Sequence, residues 1–302
     1  MENSVSKPPM TQGRALAAMT ICSLCWCFSS LFIKLCPFSG LQVACVRGFI
    51  AAAALTLYLV LIEKKRLIIN PMVLFVSVFV CFKYITFISA NKLTAGANCV
   101  AMHQTNVVYI LIFTCVMERH LPKKGDVAVI IATAVGIALF FFGKFDFSGF
   151  MGNILAGITG ICTAVLFFMS GKFRSFEENL SSIIIGNILS GIIALAFCYN
   201  QPFEISPRSV STILFLGLIQ QSLAFIMYSK AIRVISPFAC SILASMEPVL
   251  SPVLLFIFLD ERPSQFALIG IVVVIGSIII WNTANYISNK RSEQELSAQS
   301  AR

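Results

Sequence analysis

Long apolar runs dominate the chain, separated by short clusters of charged and turn-forming residues. They fall at about 15–33, 41–62, 71–90, 95–117, 127–143, 149–170, 182–199, 209–229, 236–259 and 265–285. A helix needs about 20 apolar residues, rising about 1.5 Å each, to cross a hydrocarbon core about 30 Å thick. Each run approaches that length. The expectation is an all-α polytopic membrane protein with ten transmembrane helices. Short connections make neighbouring helices antiparallel hairpins. A polar segment, 1–14, precedes the first run, and a polar tail, 286–302, follows the last and is expected to be mobile. The first run has a basic flank in Lys7 and Arg14. It lacks a small-residue cleavage site, so it reads as a retained helix.

Composition excludes a water-soluble protein. Of 302 residues, 58% are hydrophobic and 12% charged, against roughly 25% charged in soluble domains. With the N-terminus inside, the inner segments hold fifteen lysines and arginines and the outer segments five, namely Lys34, Lys92, Lys144, Arg208 and Arg262. That bias places both termini in the cytoplasm, with the plasma membrane as the expected location. It requires an even number of spans. The net charge of +9 is therefore a topology signal, and no nucleic-acid partner is expected. Cys22, Cys25 and Cys27 form a C-x-x-C-x-C cluster. Inside an apolar helix they read as small packing residues, because thiolate metal sites of this spacing belong to loops. No cofactor is implied.

Two runs carry a polar centre. In 236–262, SPFACSILASMEPVLSPVLLFIFLDER, a single carboxylate, Glu247, stands beside Pro248 and a turn before Pro252. In 95–119, AGANCVAMHQTNVVYILIFTCVMER, the centre is His103-Gln104-Thr105-Asn106. Gln104 and Glu247 each stand fourteen residues before the glutamate of a Glu-Arg pair, Glu118-Arg119 and Glu261-Arg262. The coincidence reads as an internal repeat: a first unit over 15–143 and a second over 149–285. Five helices per unit is odd, so the second unit is inverted relative to the first. Inverted repeats recur in secondary transporters, with the substrate site near the midplane between halves.

Counting residues along each run places one polar layer at mid-depth. It contains Glu247, Lys83, Trp26, Gln220, Gln221, His103, Gln104 and Asn106. A charge at this depth is costly, so it is paired or lines a wet path. Lys83 and Glu247 are either a mutual structural ion pair or groups that bind charged substrate and carry a coupling proton. Arg47 counts as shallower, in the outer third of its helix. It is either an interfacial anchor or part of the site. His103 is either tied to a neighbour or a proton-transfer group. Trp26, Tyr84 and Tyr228 are cavity walls or ordinary packing. Glu118 and Glu261 read as helix-end charges with a structural role. Gly136, Gly157, Gly186, Gly191, Gly217, Gly270 and Gly276 read as close-packing positions.

The segment AIRVISPFACSILASMEPVLSPVLLFIFLDERPSQFALIGIVVVIGSIII resembles the end of an EamA-type repeat of the drug/metabolite transporter superfamily. Glu247-Pro248-Val249, Asp260-Glu261-Arg262 and the Gly270…Gly276 pattern carry the likeness. The first unit resembles the same repeat through ANKLTAGANCVAMHQTNVVYILIFTCVMERHLP and the helix of Gly136. Arg47 matches an arginine frequent early in the family's second helix. Thr105-Asn106 stands where a proline is usual, so helix four is expected to be straighter than helix nine. The resemblance implies ten helices in inverted halves and transport of small metabolites.

The expected function is thus secondary active transport of small polar metabolites, amino acids and related solutes among them, by alternating access. Nothing resembles a nucleotide-binding loop, and no enzyme constellation is present, so catalysis is not expected. The expected partners are a small-molecule substrate, membrane lipid and a coupling proton, with a homodimer left open. The rival reading is an ion- or solute-conducting channel.

Overall fold

A computed structural model describes residues 10–117, 119, 121–122, 124–139, 147–235, 243–244, 246–262 and 264–300. Glu118, the entry to the ninth expected span at 236–242 and the chain ends at 1–9 and 301–302 lie outside the described residues. The described chain is helical, in the order α1 (Gln12–Cys27), α2 (Ser29–Leu35), α3 (Gly40–Leu57), α4 (Pro71–Leu93), α5 (Gly96–His103), α6 (Asn106–Met117), α7 (Lys124–Leu139), α8 (Phe147–Ser170), α9 (Phe176–Cys198), α10 (Pro207–Leu214), α11 (Ala224–Ala231), α12 (Met246–Leu259) and α13 (Gln265–Ser300). π-helical segments extend α3 over Tyr58–Ile62 and join α10 to α11 over Phe215–Leu223.

Seven stretches are long and apolar enough to cross a membrane: Gln12–Leu35, Gly40–Ile62, Pro71–Leu93, Gly96–Met117, Ser148–Ser170, Phe176–Cys198 and Pro207–Ala231. The other three expected runs are shorter as described: α7, α12 and the apolar part of α13, Gln265–Trp281. Helices of 14–17 residues reach only about 21–26 Å. The polar tail differs from expectation. Instead of ending near 285, α13 continues to Ser300, because its Glu, Gln, Lys, Arg and Ala residues are good helix formers.

The helix starts are written locally. Ser39 and Gln42 form a reciprocal capping box at α3. Asn70 accepts from the Val73 amide at 2.8 Å, ahead of Pro71 at the first turn of α4. Ser175 and Ser206 cap α9 and α10 in the same way. Each satisfies an amide that the first helical turn leaves open.

The bundle buries polar side chains within an apolar core and is apolar outside. Ser77, Asn91, Asn187, Ser190 and Gln221 are buried, while Phe75, Phe82, Ile131, Phe197 and Val272 are exposed. Lipid reverses the usual preference for the surface, and helix association then rests on close packing and interhelical hydrogen bonds. The α4 helix lies along α8 and α9, α3 lies along α9, and α7 lies along α13. Glycine makes two of these approaches. A Cβ on Gly186 would stand 2.4 Å from Val80 of α4, and one on Gly48 would stand 2.8 Å from the Asn187 carbonyl of α9. Gly276 departs from the expected role, since nothing would lie within 4 Å of its Cβ.

Both ends of the bundle are tied by charge. At one end Lys34, the penultimate residue of the first span, holds Glu261 at 2.9 Å and donates to the Thr94 carbonyl at 3.0 Å. The other Glu261 carboxylate oxygen accepts the Gly96 amide at the start of α5. Lys92 donates to the Cys36 carbonyl nearby at 2.6 Å. At the opposite end Lys230 pairs with Glu63 at 2.8 Å, and the Tyr58 hydroxyl donates to the same carboxylate.

The Gly96–Met117 span differs from expectation in shape. It breaks at Gln104-Thr105 despite the absence of proline. Thr105 Oγ1 donates to the Met102 carbonyl at 2.7 Å, and Asn106 Nδ2 donates to the His103 carbonyl at 3.0 Å. These side chains satisfy carbonyls that the interruption frees, which is the work a proline break leaves to its neighbours. Gly160 of α8 makes room, because its Cβ would meet Thr105 Oγ1 at 2.6 Å.

Two outcomes follow for stability. Gly186→Val should cost about 1–3 kcal/mol through overpacking, whereas Gly276→Val should leave unfolding of the detergent-purified protein unchanged. Equal melting temperatures for the two variants would show that the Gly186 crossing has slack. Glu261→Ala should cost about 1–3 kcal/mol, the range for losing charged hydrogen bonds, read by the same unfolding measurement.

Candidate functional site

Irregular backbone in three spans meets at one level. The first span is interrupted at Phe28, between Trp26 and Ser29. The fourth breaks at Gln104-Thr105, and the eighth passes through the π-helix Phe215–Leu223. In the ninth, α12 carries Glu247 near its start and Pro252 inside. Irregular backbone at membrane depth is tolerated where protein or a cavity satisfies it, and π-helical turns are frequent at functional sites. The wide π turn buries the consecutive residues Gln220 and Gln221.

These irregular segments surround a cavity enclosing about 490 Å³, counting the space at its mouth. All ten side chains singled out from the sequence line it: Trp26, Arg47, Lys83, Tyr84, His103, Gln104, Asn106, Gln220, Gln221 and Glu247. It also gathers Ser29, Phe87, Phe167, Phe225 and Ala244, which the sequence reading passed over. Ser29 carried a usable signal, a hydroxyl at the depth of Trp26. The three phenylalanines carried none, standing among 27 in the chain.

Arg47 is the main revision. Of the two readings, surface anchor or part of the site, its burial favours the second: it is 3% exposed and lines the cavity. Its Nη2 donates to Gln221 Oε1, and its guanidinium stands 5.4 Å from the centre of the Tyr84 ring. Gln221 Nε2 in turn donates to Asn187 Oδ1 at 3.4 Å, which orients the amide. Counting along one helix gives only the height of a Cα. Neighbouring helices decide where a long side chain runs. The Nε and Nη1 donors of Arg47 have no partner.

Lys83 and Glu247 line the same cavity, and no ion pair joins them among the described residues. Glu247 Oε1 accepts from Ser29 Oγ at 3.4 Å. Lys83 Nζ stands over two rings, 5.2 Å from Tyr84 and 4.9 Å from Phe225. Cation–π contacts of this kind stabilise a desolvated ammonium by about 2 kcal/mol. His103 Nε2 shares a hydrogen bond with Thr163 Oγ1 at 2.9 Å, which ties α5 to α8, while Nδ1 has no partner. Asn106 is occupied at the helix break. Trp26 belongs to an aromatic wall, with ring centres 6.3 Å from Phe167, 5.5 Å from Phe225 and 5.9 Å from Tyr228. Tyr228 packs in that wall without lining the cavity.

Beyond the wall lies a second, polar pocket, with Ser170, Ser175, Asn179, Ser229 and Arg233 in its lining. Phe225 of the first cavity and Ser229 of the second are one helical turn apart on α11.

Residues 150–283 match the model of the EamA-like transporter family. A protein of Archaeoglobus fulgidus named an uncharacterized transporter is 23% identical over 201 residues, covering 63% of this chain and 68% of that protein. A protein of Clostridium kluyveri with the same name is 25% identical over 213 residues, covering 66% of each chain. The match therefore spans about two thirds of these relatives. A solved crystal structure superposes with a TM-score of 0.63 at 15% identity, over 89% of this chain and 96% of that one, which shows a shared fold. The family match over residues 150–283, the relatives named transporters and the seven long apolar helices together support an integral membrane protein whose second half is similar to the EamA-like transporter family.

Proposed function

We propose that the chain is a secondary active transporter of small polar metabolites, amino acids and related solutes among them. It works by alternating access between two inverted five-helix units, 15–143 and 149–285, in the plasma membrane with both termini cytoplasmic. The observation that carries this reading is the cavity between the units, with polar and charged side chains from several spans converging on it. Toward one end of the bundle stands the Lys34–Glu261–Gly96 tie. Toward the other the cavity is bounded by the ring wall of Trp26, Phe167 and Tyr228. A channel needs a polar lining that continues to both ends, and the aromatic wall interrupts it.

Interhelical contacts support the inverted arrangement. Exchanging each span for the one five places away turns the contact of α4 with α8 into that of α11 with α1, and both occur. The contact of α5 and α6 with α8 becomes that of α12 with α1, which also occurs. The pairs α3 with α9 and α7 with α13 are their own counterparts. In this reading the positive-inside bias puts the Lys34–Glu261 tie at the outer surface. The polar cavity lined by Ser229 and Arg233 is then the cytoplasmic vestibule. Rocking the units opens one barrier as the other closes.

Glu247 is the group proposed to carry the coupling proton. Glu247→Gln should fold normally and take up substrate without responding to an imposed pH gradient. Proteoliposome uptake of pooled labelled amino acids, nucleosides, sugars and organic ions, with and without that gradient, measures this. A wild-type pH profile in the variant removes Glu247 from coupling, and a steady ion conductance without saturable uptake favours the channel.

A further inference from the structure

The charges around the central cavity do not balance. Arg47 and Lys83 are each nearly inaccessible and positive, and Glu247 is the lining carboxylate. The two cations share one ring, since both stand over Tyr84, at 5.4 and 5.2 Å. Their polar needs are poorly met. Arg47 keeps Nε and Nη1 unpartnered, and Lys83 Nζ stands over two rings. A desolvated cation without an anion is strongly unfavourable. Gln220 Oε1, also in the lining, is a buried acceptor without a donor. The lining thus offers two Arg47 donors without a partner, one more cation than it has carboxylates, an acceptor that lacks a donor, and flat faces in Trp26, Phe167 and Phe225.

We propose that this cavity, read as the transport site, selects ring-bearing monocarboxylates of net charge −1 that carry a hydroxyl or N–H donor. The carboxylate fills the place between Arg47 and Lys83 and brings the lining to neutrality with Glu247. The ring lies against Trp26 and Phe167, and its donor meets Gln220 Oε1. A zwitterion of the same shape leaves one positive charge uncompensated, and a cation leaves two. Among amino-acid-like solutes, the inference therefore disfavours the neutral zwitterions.

Three probes share one ring and differ in charge: 3-(4-hydroxyphenyl)propionate (−1), tyrosine (0) and tyramine (+1). Binding to the purified wild-type protein is followed by fluorescence of Trp26, one of two tryptophans in the chain, and by thermal shift. The propionate should bind at least about tenfold more tightly than tyrosine, the scale of one charge-assisted hydrogen bond, and tyramine more weakly still. Arg47→Gln should lose about tenfold or more for the propionate, with Arg47→Lys recovering part of it, while binding of tyramine should not weaken. Tyrosine or tyramine binding as tightly as the propionate, or none of the three binding, overturns the charge rule. If Arg47→Gln does not fold, the wild-type series alone decides. Saturable proteoliposome uptake separates the two readings. A charge-ordered binding series without uptake refutes transport and keeps the site, whereas uptake favouring tyramine keeps transport and refutes the charge rule.

Discussion

Two cations and one carboxylate in a low-dielectric interior impose the main constraint on this molecule. Arg47, Lys83 and Glu247 are almost wholly removed from the surface, and a charge at membrane depth is stable only with partners close by. The surrounding bundle supplies them from different helices. Gln221 receives the guanidinium, Tyr84 and Phe225 face the ammonium, and Ser29 donates to the carboxylate. Each partner sits on or beside interrupted or π-helical backbone, or on a helix held against its neighbour by a glycine crossing. The irregularities and the close crossings are thus one solution to the same problem: converging polar groups at a depth where water is absent.

Around that centre the two ends of the bundle are built from different materials. The Lys34–Glu261 end uses an ion pair reinforced by a backbone amide and a carbonyl. On the opposite side of the cavity an aromatic wall separates it from a polar pocket. A charged tie is directional and breaks as a unit, while stacked rings slide and re-pack at smaller cost.

Helix content and seven long apolar spans were legible in the sequence, as was the set of polar residues that the cavity gathers. Hydropathy needs no partner to be read, since each run must satisfy its own backbone bonds in lipid. The repeat of polar centres before Glu118 and Glu261 likewise pointed to the level at which the site lies. Reading one run at a time misled on local shape. Thr105 and Asn106 break their helix through side-chain bonds to carbonyls, a route to the same bend that lacks the signature of proline. The polar tail continues α13 because propensity outweighed polarity there.

The sequence by itself determined which segments are apolar helices and which polar residues interrupt them, because those follow from residue type and pattern. Only the tertiary structure decided that Arg47 turns inward to Gln221, that Lys83 faces rings rather than Glu247, and that three phenylalanines wall the cavity. Those outcomes depend on which face of each helix meets which neighbour. Helix rotation is set by packing between spans, where Gly48, Gly160 and Gly186 allow backbones to touch, and no count along a single span contains it.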